Sequence, residues 1–167
     1  GPDAYPLFVK PRDGRASIDA YRVGSPGELD GVLARVANPL VQACVEGAGV
    51  RELTVDTWSD PDGAFVACSP RIREVVKAGQ SYKGVTIRHP QLEDACRAIC
   101  NALALPGPAC IQAFDTPDGI SIIEINPRVG AASILSFVAG LNGPRWLVKN
   151  GQRLQALILI PASVHRF

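Results

Sequence analysis

Glu124 and Asn126 stand two apart in the run Ile123-Glu124-Ile125-Asn126-Pro127-Arg128. Residues two apart on an extended strand leave the same face, so a carboxylate and an amide oxygen point the same way. A turn at Pro117-Asp118-Gly119 would pair this strand with Cys110-Ile111-Gln112-Ala113-Phe114 and bring Gln112 alongside them. Three oxygen donors on one sheet face suit a hard cation such as Mg2+, whose other positions go to water or phosphate. Arg128, just past Pro127, adds a planar fork matched to phosphate or carboxylate. Alternating polarity alone is also what any solvent-facing strand shows, so the rest of the chain decides between the two readings.

The elements that must hold these groups can be read from periodicity and turn chemistry. Leu7-Phe8-Val9 reads as a buried strand ending on Lys10, and a second strand follows around Ala20-Tyr21-Arg22-Val23. Ser25 is placed to cap a helix with Pro26 in its first turn and Glu28 at its positive end. Leu29, Val32, Leu33 and Val36 repeat at helical spacing up to the Asn38-Pro39 stop. After a short apolar strand or connector, Leu40 to Val45, the stretches Glu52–Trp58 and Ala64–Cys68 form a hairpin across Ser59-Asp60-Pro61-Asp62-Gly63. A basic segment, Arg71 to Lys83, follows. Pro90 opens a helix reaching about Leu105, with Leu92, Ala95, Ile99 and Leu103 expected on one face. The Gln112/Glu124 hairpin comes next, then helices over about 132–141 and 144–149. Antiparallel strands with interleaved helices make the expected class α+β.

Composition narrows the functions. The chain has 167 residues, 47% hydrophobic and 20% charged, with a formal net charge of +1. That is a globular composition, with no global charge to recruit nucleic acid or an anionic membrane. The apolar stretch Leu154–Ala162 is too short to span a bilayer, and the start of the sequence lacks the pattern of a secretory signal. Of the five cysteines, Cys96 and Cys100 could share a helix face, yet His89 and His165 lack zinc-ligand spacing. Buried thiols in a reducing compartment are the expectation, and with it a cytoplasmic location.

Glu124-x-Asn126-Pro127-Arg128 after an apolar strand resembles the metal-binding strand of the ATP-grasp superfamily, particularly carbamoyl-phosphate synthetase large subunits, biotin carboxylases and small carboxylate–amine ligases. Pro6 to Arg12 looks like the family strand whose lysine meets the nucleotide. Val41-Gln42-Ala43-Cys44-Val45-Glu46-Gly47 looks like the hinge that holds adenine, Arg51–Asp56 like the strand after it, and Lys77–Gly84 like the basic segment facing phosphates and substrate. The resemblance covers nearly the whole chain. It implies that Lys10 contacts phosphates or the adenine edge, that Val45 supplies backbone bonds to adenine, and that Gln42 or Glu52 accepts from ribose hydroxyls. Ile123 would pack on adenine; Gln112, Glu124 and Asn126 would hold Mg2+ (or Mn2+); Arg128 and Lys77 would stabilise developing charge. For Arg71, Arg73 and Lys83 a solvated face and a substrate role are equally open.

The sequence departs from the family pattern in its phosphate loop, Gly14-Arg15-Ala16-Ser17-Ile18-Asp19, which holds one glycine. Gln42 stands where many relatives carry an acid, Ala43-Cys44 replaces a more usual acidic–aromatic pair, and Gln112 replaces an acidic ligand, as in the carbamoyl-phosphate synthetase branch. The expected organisation is a remnant of the small ATP-grasp subdomain over 1–45 and the large metal-binding subdomain over 46–167, with the enzyme's N-terminal portion missing. The implied reaction uses ATP to turn a carboxylate or bicarbonate into an acyl phosphate that an amine or ammonia attacks. No nucleic-acid or membrane partner is expected, and an oligomer is compatible with the sequence. The alternatives are a non-catalytic ATP-grasp-like nucleotide-binding or regulatory domain, and an unrelated α+β module.

Overall fold

The computed structural model of the protein describes residues 5–14, 17–77 and 80–149. The Leu154–Ala162 stretch, Arg15-Ala16 of the Gly14–Asp19 loop and Ala78-Gly79 of the Lys77–Gly84 segment lie outside the described residues.

Strands β1 (Leu7–Pro11), β2 (Tyr21–Val23) and β3 (Pro39–Ala43) form an antiparallel three-stranded sheet in the order β2-β1-β3. Helix α1 (Pro26–Leu33) covers one face, packing Val32 and the following Val36 on Leu7, Val9 and Val23. Strand alternation then puts Phe8 and Lys10 on the opposite, uncovered face. The Ser25 side chain does not cap α1; Glu28 instead reaches back to accept from the Gly24 N–H at 2.9 Å. The helix also stops at Leu33, short of the expected Asn38, because the chain turns there before Asn38 adopts φ +45 and Pro39 opens β3. Asn tolerates the left-handed region, and a residue before proline disfavours helix.

The second sheet has five antiparallel strands in the order β6-β5-β4-β7-β8: β4 (Arg51–Ser59), β5 (Phe65–Lys77), β6 (Gln80–Thr86), β7 (Gly107–Thr116) and β8 (Gly119–Asn126). The expected hairpins are present, and the basic segment from Arg71 to Lys83 is itself a hairpin, since β5 runs far beyond the expected Cys68. Alternation survives there as Arg71-Ile72-Arg73, in which the polar residues face inward: Arg71 is 2% exposed. The turn after β4 packs under α2 (Pro90–Leu103), and a Cβ on Gly63 would stand 2.6 Å from the Ala104 carbonyl, at a φ of +85. Only glycine fits that approach.

Helix α2 lies across the sheet face formed by Leu53, Val55, Ile111 and Ala113. His89 caps it, its Nδ1 accepting from the Leu92 N–H, while Glu93 accepts from the His89 N–H. The buried stripe is Leu92-Cys96-Cys100, with Ile99 beside it, whereas Leu103 is 56% exposed. The expected stripe through Ala95 and Leu103 is corrected accordingly. Small apolar thiols fit the close helix–sheet contact, and Leu103 sits beside the left-handed Ala104 that ends the helix. Two short helices, α3 (Ser133–Val138) and α4 (Gly143–Lys149), lie on the other face, where Trp58 packs with Leu141 and Trp146. Among the described residues no helix is long and apolar enough to cross a membrane.

Leu92 is fully buried between α2 and the sheet. Leu92→Ala is expected to cost about 2–5 kcal/mol in urea unfolding, the transfer and cavity terms together. An unchanged midpoint would contradict this packing.

Candidate functional site: an oxygen-lined cluster between two sheets

With α2 on one face, the polar side chains of the large sheet collect on the other. Paired residues of antiparallel strands share a face. One row runs Arg71–Thr54–Gln112–Glu124 and the next runs Ser69–Asp56–Cys110–Asn126. A bulge in β8 creates this arrangement: Gln112 pairs with Glu124 but Ala113 with Ile122, leaving Ile123 as the extra residue. Ile120, Ile122 and Ile125 are thereby aligned with the α2 side, while Glu124 is turned to the polar side. Without the bulge, simple alternation from Ile122 would carry Glu124 into the apolar layer.

Glu124 is the hub of the cluster. Its Oε1 accepts from Gln112 Nε2 at 2.6 Å and from Asn126 Nδ2 at 2.9 Å. Its Oε2 lies 3.3 Å from Lys10 Nζ, which reaches across from the uncovered face of the small sheet. Arg73 NH1 donates to Gln112 Oε1 at 3.2 Å and also pairs with Glu52. A chain of polar contacts thus runs from Glu52 through Arg73, Gln112 and Glu124 to Lys10.

A second, buried cluster fixes the segment after Asn126. Asp56 accepts from Arg71 Nε at 3.1 Å and from the Ser133 and Ser136 hydroxyls, each at 2.6 Å. A Cβ on Gly130 would lie 2.8 Å from Asp56 Oδ1 and 3.0 Å from Ser133 Oγ, so this loop lies tightly on the cluster. Burial pushes the thiol of neighbouring Cys110 up to about 11, with the Asp56 charge adding to it, and burial takes Cys68 to about 12. These thiols stay protonated at neutral pH and are poor nucleophiles.

The structure brings together Lys10, Gln112, Glu124 and Asn126, with Ile123 half-buried in the bulge beside them. Gln42 lies opposite Phe8 in β3 and shares the uncovered face with Lys10. Val45 follows the strand, and among the described residues its backbone N–H and C=O have no hydrogen-bond partner. Glu52 is held by Arg73 rather than standing alone. Arg128 is exposed, its NH1 donating to the Val129 carbonyl at 3.2 Å. Lys77 sits 4.2 Å from the Tyr82 ring centroid at the far end of the β5–β6 hairpin, and among the described residues no polar contact links it to Glu124. Lys83 pairs with Glu74 on that hairpin, while Arg71 and Arg73 are buried, which corrects the idea of a solvated basic face for these two. Sequence reasoning did not find Asp56, Ser133 or Ser136, and it left the role of Arg73 open. The period-two placement of Arg71 and Arg73 around Ile72 was the available signal.

Three solved structures place the architecture. A biotin carboxylase from Campylobacter jejuni, described as a β-γ-ATP complex, superposes at a TM-score of 0.70 with 15% identity over 89% of this chain. The biotin carboxylase domain of the 2-oxoglutarate carboxylase of Hydrogenobacter thermophilus, in complex with MgADP, ADP and bicarbonate, gives 0.71 with 14% identity over 91%. A pyruvate carboxylase variant from Rhizobium etli gives 0.64 with 17% identity over 81%. The chain spans 37%, 38% and 14% of those chains, respectively. No curated protein matches the sequence. The fold is therefore shared with part of each of those chains. Residues 38–159 match the family described as ATP-grasp in the biosynthetic pathway with Ter operon, and the chain belongs to that family.

The Asp56–Arg71 pair is almost fully buried, with side chains 5% and 2% exposed. Asp56→Ala leaves a buried guanidinium without its counter-charge, an expected loss of about 3–5 kcal/mol in chemical denaturation. A variant as stable as wild type would contradict the role assigned to this cluster.

Proposed function

We propose that this chain is the nucleotide- and metal-binding portion of an ATP-grasp ligase that activates a carboxylate or bicarbonate as an acyl phosphate for attack by an amine or ammonia. The single observation that carries the reading is the Lys10–Glu124 contact, which joins a cation from the small sheet to the carboxylate of the Gln112/Asn126 row. Family membership and the fold likeness support nucleotide binding. In this reading residues 1–45 belong to the small subdomain and 46–167 to the large one.

The donor set fits a hard divalent cation. Glu124 supplies the carboxylate, Asn126 its amide oxygen, and Gln112 Oε1 retains a lone pair beyond the one Arg73 uses. Among the described residues no three His, Cys, Asp or Glu side chains converge, so phosphate oxygens would complete the shell. A bound Mg2+ or Mn2+ supplies charge neutralisation on the phosphates during transfer. The side chains do the rest. Lys10, released from Glu124, meets phosphate oxygens; the free Val45 backbone groups take the adenine edge; Gln42 or the second oxygen of Glu52 accepts from ribose; and Ile123 packs on the base. Arg128 and Lys77 bring positive charge to the transferred group, Lys77 on a hairpin that has to approach for this to happen. The partners in this reading are a small carboxylate, an amine or ammonia, and the remainder of the enzyme, in the cytoplasm.

A second reading, a non-catalytic nucleotide-binding or regulatory domain, is favoured by one feature: the cluster offers a single carboxylate, with Gln112 where a second would strengthen the metal. ADP release with pooled carboxylates and amines separates the two, since only a ligase turns over.

Glu124→Ala is expected to abolish Mg2+-dependent ATP binding and turnover while leaving the circular dichroism spectrum unchanged. Undiminished Mg2+-ATP binding, read by calorimetry, would remove Glu124 from the metal site.

A further inference from the structure

Arg73 lies two residues beyond Arg71 on β5, on the polar face, with its side chain 5% exposed. It has no place in the ligand shell proposed above, yet it touches the residue that orients it. A guanidinium carries donors only, so the Gln112 atom facing NH1 must be the amide oxygen. The amide nitrogen is then committed to Glu124 Oε1, at 2.6 Å. Were the amide reversed, its oxygen would confront the carboxylate and its NH2 would confront the guanidinium, repulsive at both ends.

We propose that Arg73 is a positioning residue for the metal carboxylate: it locks the Gln112 amide, and through that amide it fixes Glu124 in the orientation that receives a divalent cation. This rests on the Mg-ATP reading of the cluster. Glu52 anchors Arg73 from the other side, so the positioning charge is neutralised before it reaches the row. Among the described residues Glu124 is ion-paired with Lys10, and its charge stays available to the metal. Partners of this kind set ligand orientation, and their loss costs about 10- to 100-fold in metal affinity.

The test is Mn2+ affinity in the presence of ATP, read by electron paramagnetic resonance on the full chain. Wild type, Arg73→Met, Gln112→Ala and the double variant are compared, with Glu124→Ala as control and circular dichroism for folding. Arg73→Met is expected to weaken Mn2+ about 10- to 100-fold, and to have no further effect in the Gln112→Ala background, because the coupling runs through that amide. Arg73→Lys, which keeps the charge and one donor, is expected to recover part of the loss; it also serves as the reporter if Arg73→Met fails to fold. An unchanged Mn2+ affinity, or the same loss with and without Gln112, would overturn the relay while leaving the metal reading intact. Wild-type binding that Glu124→Ala does not reduce, or no Mn2+ binding at all, would overturn that reading and the relay with it.

Discussion

Everything at this site depends on one carboxylate that gathers partners from two sheets. Glu124 accepts from two amides on one oxygen and meets an ammonium on the other. The amides come from the same sheet and the ammonium from a different one, so a single side chain ties the two sheets at the place where nucleotide is proposed to enter. A part-exposed ion pair of this kind is a modest source of stability. Its value is geometric: it holds an ammonium from one sheet and a carboxylate from the other within reach of one another.

The large sheet makes this possible by separating its two faces. One side of β4, through Leu53 and Val55, is packed by α2, and the other side carries Glu52, Thr54 and Asp56. The buried Asp56 cluster then fastens the loop that follows Asn126 onto that polar side. Rigidity under the site thus comes from two different sources, apolar packing below and a fully bonded carboxylate beside it.

Much of this could be read from the sequence. The β7–β8 hairpin, the Lys10 strand and the shared face of Glu124 and Asn126 follow from alternation and turn chemistry, and the family likeness follows from short runs around them, whereas the pairing of Gln112 with Glu124 needs the bulge at Ile123. The buried stripe of α2 is not legible in the sequence because Ala95 and Leu103 are as apolar as Cys96 and Cys100, and only the angle of the helix on the sheet chooses between them. Arg71 and Arg73 were legible as charges but not as buried ones, since their partners Asp56 and Glu52 lie on another strand, many residues away. Lys77 and Arg128 remain the least constrained of the assigned residues, because one sits at a hairpin end and the other on an exposed turn.

The β8 bulge acts like a half-step in a staircase. Up to Ile122 the strand keeps one beat with α2, and after Ile123 it keeps the opposite beat with the polar row. The same sequence in regular register, with no bulge, would keep the hairpin yet set Ile123 opposite Gln112 and turn the carboxylate toward the α2 side. At this step it is the backbone of residue 123, bulged out of register, that sets the face Glu124 takes, apart from any contact its side chain makes.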